Sequence, residues 1–267
     1  MKKNFYRKPH RIKRKKSIFK KRFFLLFFPP FIFLSLIIYF VLFSNFFEIK
    51  KIEISGNEKV DKKNIEEFLG EKIVYDFKFL KLKNILLLNP KKIEEDILKK
   101  YPQVENVTLK KILPDSLFVE IKERKGRAIF KNRDNLFLID EKGIIFEKKE
   151  EKGDFLIIEN DSLEREIGLG EKVLEEDVLN KTLYFNDKLK EDLKIFLDKA
   201  IVVSPERINL KTSENWEIYL NSNDDFSWQF TRLAMVLEKK IPKEKRAALQ
   251  YIDLRFERVY IFPEISS

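Results

Sequence analysis

The chain has 267 residues, a formal net charge of +10, no cysteine and one histidine, His10, so residues 48–267 hold no disulfide framework and no imidazole for acid–base, triad or metal chemistry. The charge is concentrated: residues 1–22 carry twelve Lys or Arg and no acid, leaving 42 basic against 44 acidic residues, a net −2, in the remainder. A nearly neutral body gives no support to a nucleic-acid-binding role, because the basic footprint belongs to a tail.

That tail, MKKNFYRKPHRIKRKKSIFKKR, repels itself and is expected to stay unstructured. FFLLFFPPFIFLSLIIYFVLF follows, Phe23 to Phe43, 21 residues without a charge. As a helix this run spans about 31 Å, close to the hydrocarbon thickness of a bilayer. No small-residue cleavage site follows it in SNFFEIKK, so residues 23–47 are expected to be an uncleaved single-pass anchor. Pro29 and Pro30 either kink that helix or lie near its start. The basic flank keeps residues 1–22 in the cytoplasm and sends the C-terminal part outside.

Ile49, Ile52 and Ile54 give a short strand signal, closed by Ser55-Gly56-Asn57. Asp61 can cap a helix whose apolar face is Ile65, Phe68 and Leu69, with Gly70 placed to end it. A looser stretch runs to Leu88. Asn89-Pro90 then reads as N-cap and first helical residue, with Ile93, Ile97, Leu98 and Tyr101 on the next apolar face. After Pro102, VENVTLKKILPDSLFVEIKER reads as two strands, with Val107 and Leu109 alternating in the first, Leu117, Val119 and Ile121 in the second, and Leu113–Ser116 as the turn. The order strand, helix, helix, strand, strand folds as a three-stranded sheet with two helices on one face.

Further on, RAIFKNRDNLFLIDEKGIIFEK predicts two strands about the turn Asp140–Gly143, and Asp154–Glu159 another. Apolar residues recur at helical spacing from Leu174 to Leu197. IVV, RINLKT and NWEIYL read as strands, and SWQFTRLAMVLEKKI as an amphipathic helix with Phe230, Leu233, Ala234 and Leu237 inward. The chain closes on AALQYIDLRFERVYI. There Ile252, Leu254 and Phe256 share one face, and the phase shifts to Val259 and Ile261, as a bulge or tight turn would produce. An ordinary closing strand and a partner-receiving edge both fit this pattern.

No catalytic constellation emerges. The seven glycines are scattered at turns and form no phosphate loop. Acidic runs such as Glu94-Glu95-Asp96 and Glu175-Glu176-Asp177 read as solvated faces, not as a carboxylate pair across a cleft. Trp216 and Trp228 read as core or half-buried packing residues. The protein is expected to be non-enzymatic, with no cofactor and no metal.

Several segments resemble one family. In YPQVENVTLKKILPDSLFVEIKER, Pro102, Val104, Lys111, Pro114, Ser116, Leu117, Glu123 and Arg124 match a pattern of the bacterial FtsQ/DivIB cell-division proteins, within a unit whose element order resembles a POTRA domain. Leu138, Asp140, Gly143 and Phe146 match that family's hairpin. Trp216, Ile218, Leu220, Asp253, Leu254, Arg255 and Phe256 match its C-terminal region. The family's Pro after Glu-Arg is replaced by Lys125-Gly126, its aromatic before Pro114 by Leu113, and its Gly after the last motif is missing.

The resemblance implies an α+β protein. A basic cytoplasmic tail (1–22) and a transmembrane anchor (23–47) precede a POTRA-like β-α-α-β-β domain (48–126). A second, mixed and antiparallel-rich β domain with flanking helices (127–262) and a short tail (263–267) follow. It also implies a scaffold of the divisome in the cytoplasmic membrane at the septum. Its partners would be small single-pass proteins of the FtsB/DivIC and FtsL type, received partly by strand addition at the C-terminal edge. The residues expected there are Arg255, Phe256, Arg258, Val259, Tyr260 and Ile261. The competing reading is a POTRA-bearing polypeptide receptor of a translocation or outer-membrane assembly system, which calls for repeated POTRA units or a barrel.

Overall fold

A computed structural model describes residues 18–77, 80–163 and 165–264, with side chains from Phe27 onward except at 76–81. The expected tail therefore lies outside the described residues over 1–17, and the C-terminal one over 265–267. The first half of the chain forms α1 (Ile18–Phe43), β1 (Lys51–Ser55), α2 (Lys62–Lys72), β2 (Tyr75–Phe77), β3 (Leu80–Leu82), α3 (Pro90–Lys100), β4 (Val104–Ile112) and β5 (Ser116–Glu123). The second half forms β6 (Ala128–Asn132), β7 (Asn135–Ile139), β8 (Ile145–Lys149), β9 (Ile157–Asn160), α4 (Glu176–Lys188), β10 (Leu197–Ser204), β11 (Arg207–Thr212), β12 (Glu217–Asn221), α5 (Phe226–Lys239), β13 (Tyr251–Asp253) and β14 (Tyr260–Phe262). The chain divides into two compact units, one of residues 1–52, 70–88 and 111–117, the other of 53–69, 89–110 and 118–267.

In the first unit α1 runs from Ile18 straight through Pro29 and Pro30, so neither proline marks its start. Ser35 Oγ donates to the Phe31 carbonyl at 2.8 Å, which satisfies the hydroxyl inside its own helix. Among the described residues no helix is long and apolar enough to cross a membrane; the side chains of residues 23–26, part of the predicted anchor, lie outside the described set. The stretch expected to be loose holds a two-stranded hairpin, β2 with β3.

The second unit holds most of one small sheet and all of a larger one. The smaller has the order β1-β5-β4. Val107 and Leu109 of β4 and Leu117, Val119 and Ile121 of β5 turn their side chains inward, as the alternation requires. Asp61 accepts from the Lys63 N–H at 2.9 Å to start α2, and Asn89 with Pro90 starts α3. Ile65, Phe68 and Leu69 of α2 and Ile93 and Ile97 of α3 are buried. Gly70 does not end α2, which continues to Lys72. Gly56 takes φ +80°, and a Cβ there would collide with the Ile121 carbonyl oxygen, so the turn after β1 needs glycine.

The larger sheet has nine strands in the order β14-β13-β12-β11-β10-β9-β6-β7-β8. β9 pairs in parallel with both β6 and β10, and β12 in parallel with β13. The other neighbours run antiparallel. The segment 127–148 thus forms three strands, not two: a turn at Arg133-Asp134, with Arg133 at φ +53°, divides it before the expected one at Asp140–Gly143. One core joins the sheet to α4 and α5, with Phe185 meeting Phe226 and Phe230 edge-on at centroid distances of 5.9 and 5.6 Å. Trp216 is fully buried, whereas Trp228 on α5 is exposed, contrary to its expected packing role. The helical run from Leu174 ends early: α4 continues as a wide turn over Leu189–Leu193, and Leu197 already belongs to β10.

Glu123 fastens β5 to the turn after β1, and Arg124 ties the two sheets together. The Glu123 carboxylate accepts from the backbone N–H groups of Glu58 (2.8 Å), Lys59 (2.9 Å) and Val60 (2.9 Å). Arg124, immediately after β5, pairs with Asp140 after β7, and its Nε donates to the Pro102 carbonyl at 3.0 Å. Asp140 also accepts from the Lys142 and Ile144 N–H groups at 3.0 and 2.9 Å. Lys122 and Lys142 both reach Glu105, at 2.8 and 3.0 Å, and hold its carboxyl below the usual range.

Burial pushes the Glu123 carboxyl up, but the Val60, Lys59 and Glu58 N–H groups outweigh it and hold the group below its ordinary value. A depressed carboxylate contributes stability that is fully present above the unfolded value of about 4.3 and is lost as pH falls through the folded one. Acid titration of the folded chain, followed by circular dichroism, should therefore show a loss of stability below that value which Glu123→Gln makes smaller, the rest belonging to carboxylates such as Glu105 that are held low in the same way. An unchanged acid limb in the variant would refute this role.

Candidate functional site

The candidate site is the β14 end of the large sheet. The two ends of that sheet differ. At the β8 end, the loop after β9 lies alongside: Ile145 N–H donates to Glu171 O at 2.9 Å, Gly170 N–H to Ile145 O at 2.7 Å, and Val173 N–H to Gly143 O at 2.9 Å. Gly143 takes φ +73°, and a Cβ there would strike the Leu174 carbonyl oxygen, so this covered end also depends on a glycine. At the other end β14 pairs with β13, and among the described residues no strand lies on its outer side. Unpaired backbone donors and acceptors on such a strand can accept another chain.

The expected last strand is two strands. β13 stops at Asp253, and residues 254–259 turn back so that Tyr260 lies opposite Asp253 and Phe262 opposite Tyr251. This explains the phase shift between Phe256 and Val259. Two arginines make the turn. The half-buried Arg255 donates from its backbone N–H, Nε and Nη2 to the buried Asp253 carboxylate, at 3.0, 2.9 and 2.6 Å. From α5, Arg232 donates to the carbonyls of Leu254 and Phe256 and, at 3.1 Å, of Glu257.

On the face of the sheet away from the core, Tyr219, Tyr251 and Phe262 stack across β12, β13 and β14, with centroids 4.8 and 5.5 Å apart. The Arg207 guanidinium lies 4.5 Å from the Tyr219 ring and continues the stack inward. Burial, reinforced by the neighbouring Glu217, pushes the Tyr219 phenol up, so it stays a neutral ring at physiological pH.

The six expected partner residues fall into three groups. Phe256, Arg258 and Tyr260 are exposed, and the Phe256 and Tyr260 rings meet edge-on at 5.9 Å. Val259 and Ile261 are half-buried and pack on the core, leaving their backbone as the available part. Arg255 is spent on Asp253, so the exposed positive charge at this edge is Arg258, whose guanidinium lies 5.9 Å from the Tyr260 ring centroid. Residues 255–258 form a bend, so the ladder at the edge runs over 260–262. Phe262 and Trp228, exposed beside this edge and on α5, were not among the expected residues. Phe262 lies after the phase shift, where only the observed register puts it in the stack. Among the described residues no group of three or more His, Cys, Asp or Glu could hold a metal ion.

Two family models match the chain. Residues 47–124 match the FtsQ-type POTRA domain, and residues 128–255 match the C-terminal domain of cell division protein FtsQ/DivIB. The chain belongs to the FtsQ/DivIB cell-division family. Similar FtsQ/DivIB proteins include cell division protein DivIB of Clostridium tetani, 24% identical over 79% of this chain and 77% of that protein. DivIB of Clostridium botulinum strain Hall is 25% identical over 81% of this chain and 82% of its own length. DivIB of Clostridium acetobutylicum is 30% identical over a shorter share, 38% of this chain and 37% of its own.

As an FtsQ/DivIB protein it is a non-catalytic scaffold of the division machinery, built from a POTRA-type α/β domain and a larger β-rich domain. The Arg124–Asp140 pair joins two FtsQ/DivIB sequence patterns that are separate along the chain, the Glu-Arg after β5 and the Asp of the hairpin. The family match ends at Arg255, so the turn and β14 lie beyond it.

Proposed function

We propose that this scaffold is a single-pass membrane protein that receives an extended segment of a small single-pass division protein, of the FtsB/DivIC or FtsL type, as an added strand on β14. Residues 1–22 lie in the cytoplasm, 23–47 form the anchor, and two extracytoplasmic domains, 48–126 and 127–262, face the septum, with a short tail at 263–267. The uncharged run Phe23–Phe43 and the basic flank before it support this orientation. The observation that carries the proposal is the asymmetry of the large sheet: the loop after β9 bonds to Ile145 at the start of β8, while among the described residues nothing pairs with the outer side of β14, which is lined by aromatic side chains. Backbone pairing to 260–262 supplies affinity, while Phe256, Tyr260 and Phe262 contact the partner's apolar side chains and Arg258 its acidic ones. Arg255, Val259 and Ile261 hold the edge in shape from behind. The POTRA-type domain offers a second docking surface for other division proteins.

The double substitution Tyr260→Lys/Phe262→Lys places two cations at exposed positions, where it leaves the core untouched. In co-purification of the full chain with the organism's own FtsB/DivIC-type and FtsL-type proteins, it should weaken capture about tenfold or more, the scale of hot-spot loss. Circular dichroism checks that the variant folds. Undiminished capture by a folded variant would move the interface elsewhere.

A further inference from the structure

The unit around the C-terminal end of α1 exposes a second set of large apolar side chains, far along the sequence from β14. Asn84, itself buried, donates from Nδ2 to the carbonyls of Val41 and Leu42 at 2.7 and 3.1 Å, and so caps the last turn of α1. Next to it the chain turns Ile85 and Leu88 inward but Leu86 and Leu87 outward, 39% and 40% exposed. Lys111 Nζ reaches the Leu86 carbonyl at 3.3 Å, which brings the turn after β4 alongside. The end of β4 and that turn expose Ile112 and Leu113, at 50% and 59%. Ile85 N–H donates to the Phe47 carbonyl at 2.9 Å, and neighbouring Phe46 is exposed too. This unit has its own buried residues in Ile49, Ile85 and Leu88, so the exposed five are not needed to hold it together.

We propose that this collar is a lipid-contacting surface: Phe46, Leu86, Leu87, Ile112 and Leu113 rest in the interface of the membrane that α1 enters, on the side where the folded domains lie. The inference rests on the single-pass anchor proposed above. Its warrant is position. A segment hydrogen-bonded to the carbonyls of Val41 and Leu42 sits level with the end of the apolar run Phe23–Phe43, so the bilayer that takes the run meets the collar. Contiguous exposed apolar side chains are unfavourable in water and favourable at that depth. Exposed Lys83 flanks them, a side chain that can bury its alkyl stem and leave a cation among headgroups, and so does Lys50, whose ammonium lies 3.7 Å from the Asp115 carboxylate. The Asn84 cap satisfies two of the carbonyls, Val41 and Leu42, that would otherwise penalise a helix ending there.

The chain has no cysteine, so single labels are clean. The full chain, reconstituted in vesicles of phosphatidylcholine and phosphatidylglycerol, would carry a nitroxide at Leu87→Cys, Leu113→Cys, Ser35→Cys or Glu150→Cys in turn. Collision with oxygen and with a water-soluble nickel chelate reports depth. Ser35 is the anchor reference and Glu150, exposed after β8, the aqueous one. The expected result is that labels at 87 and 113 favour oxygen over nickel, at about 5–10 Å into the headgroup–acyl boundary. Labels there as nickel-accessible as at 150, with 35 lipid-like, overturn the collar and leave the anchor standing. Labels shielded from both reagents mean that protein covers the patch, and also overturn it. A nickel-accessible label at 35 overturns the anchor, and the collar with it.

Discussion

Arg124→Ala is expected to destabilise the fold by about 3–5 kcal/mol, the usual loss when one member of a buried ion pair is removed. Both side chains are largely sequestered, 13% exposed for Arg124 and 4% for Asp140. The substitution also frees the Pro102 carbonyl from Nε. Asp140 would keep its bonds from the Lys142 and Ile144 N–H groups but lose its counter-charge. Urea unfolding of the full chain in detergent micelles, read from Trp216 fluorescence in a Trp228→Phe background, measures the loss. Arg124→Met combined with Asp140→Asn should recover much of it, because no buried charge is left unpaired and the amide oxygen still accepts from the turn. A double variant as unstable as Arg124→Ala would show that the stability came from packing and not from the pair.

Trp216→Ala is the second large effect, about 3–5 kcal/mol from lost transfer energy and an unfilled cavity. The indole is fully buried in the turn before β12, its Nε1 donating to Glu214 at 3.0 Å, and the Trp216 carbonyl accepts from the Thr212 N–H and hydroxyl at 2.9 and 2.8 Å. For a domain of this size the melting temperature should fall by roughly 10 °C, measured by far-UV circular dichroism. Trp216→Phe keeps most of the volume and should lose less. Because β12 carries β13, and β13 carries β14, binding at the edge should decline in step with unfolding. A Trp216→Ala protein with an unchanged melting temperature would mean that the neighbours close the cavity without cost.

The parts of the fold readable from the chain are those whose signals are local. Strands β11 and β12 alternate residue by residue between half-buried and buried, as RINLKT and EIYLN predict. The starts of α2 and α3 follow from Asp61 and Asn89-Pro90. The elements that were not readable are made by distant residues or lack the usual punctuation. Arg133-Asp134 turns the chain with neither Gly nor Pro, so β6 and β7 read as one strand. The hairpin of β2 and β3 has no turn residue between its strands. The turn over 254–259 depends on Arg232, more than twenty positions earlier on another element, so YIDLRFERVYI alone shows only a phase shift. Arg255 looked like a free charge because its acceptor, Asp253, falls on the same face by simple alternation and nothing in the spacing shows the pair closing. Trp228 follows Asp225, the N-cap of α5, in the first turn, where the inward face is only beginning to be set.

The strand addition proposed for β14 limits stoichiometry. That edge takes one guest strand at a time, so two division proteins offering strands to it would compete and could not bind there together. Assembly of a larger complex around this scaffold would then depend on order of arrival, or on a first guest whose own outer edge becomes the acceptor for the next.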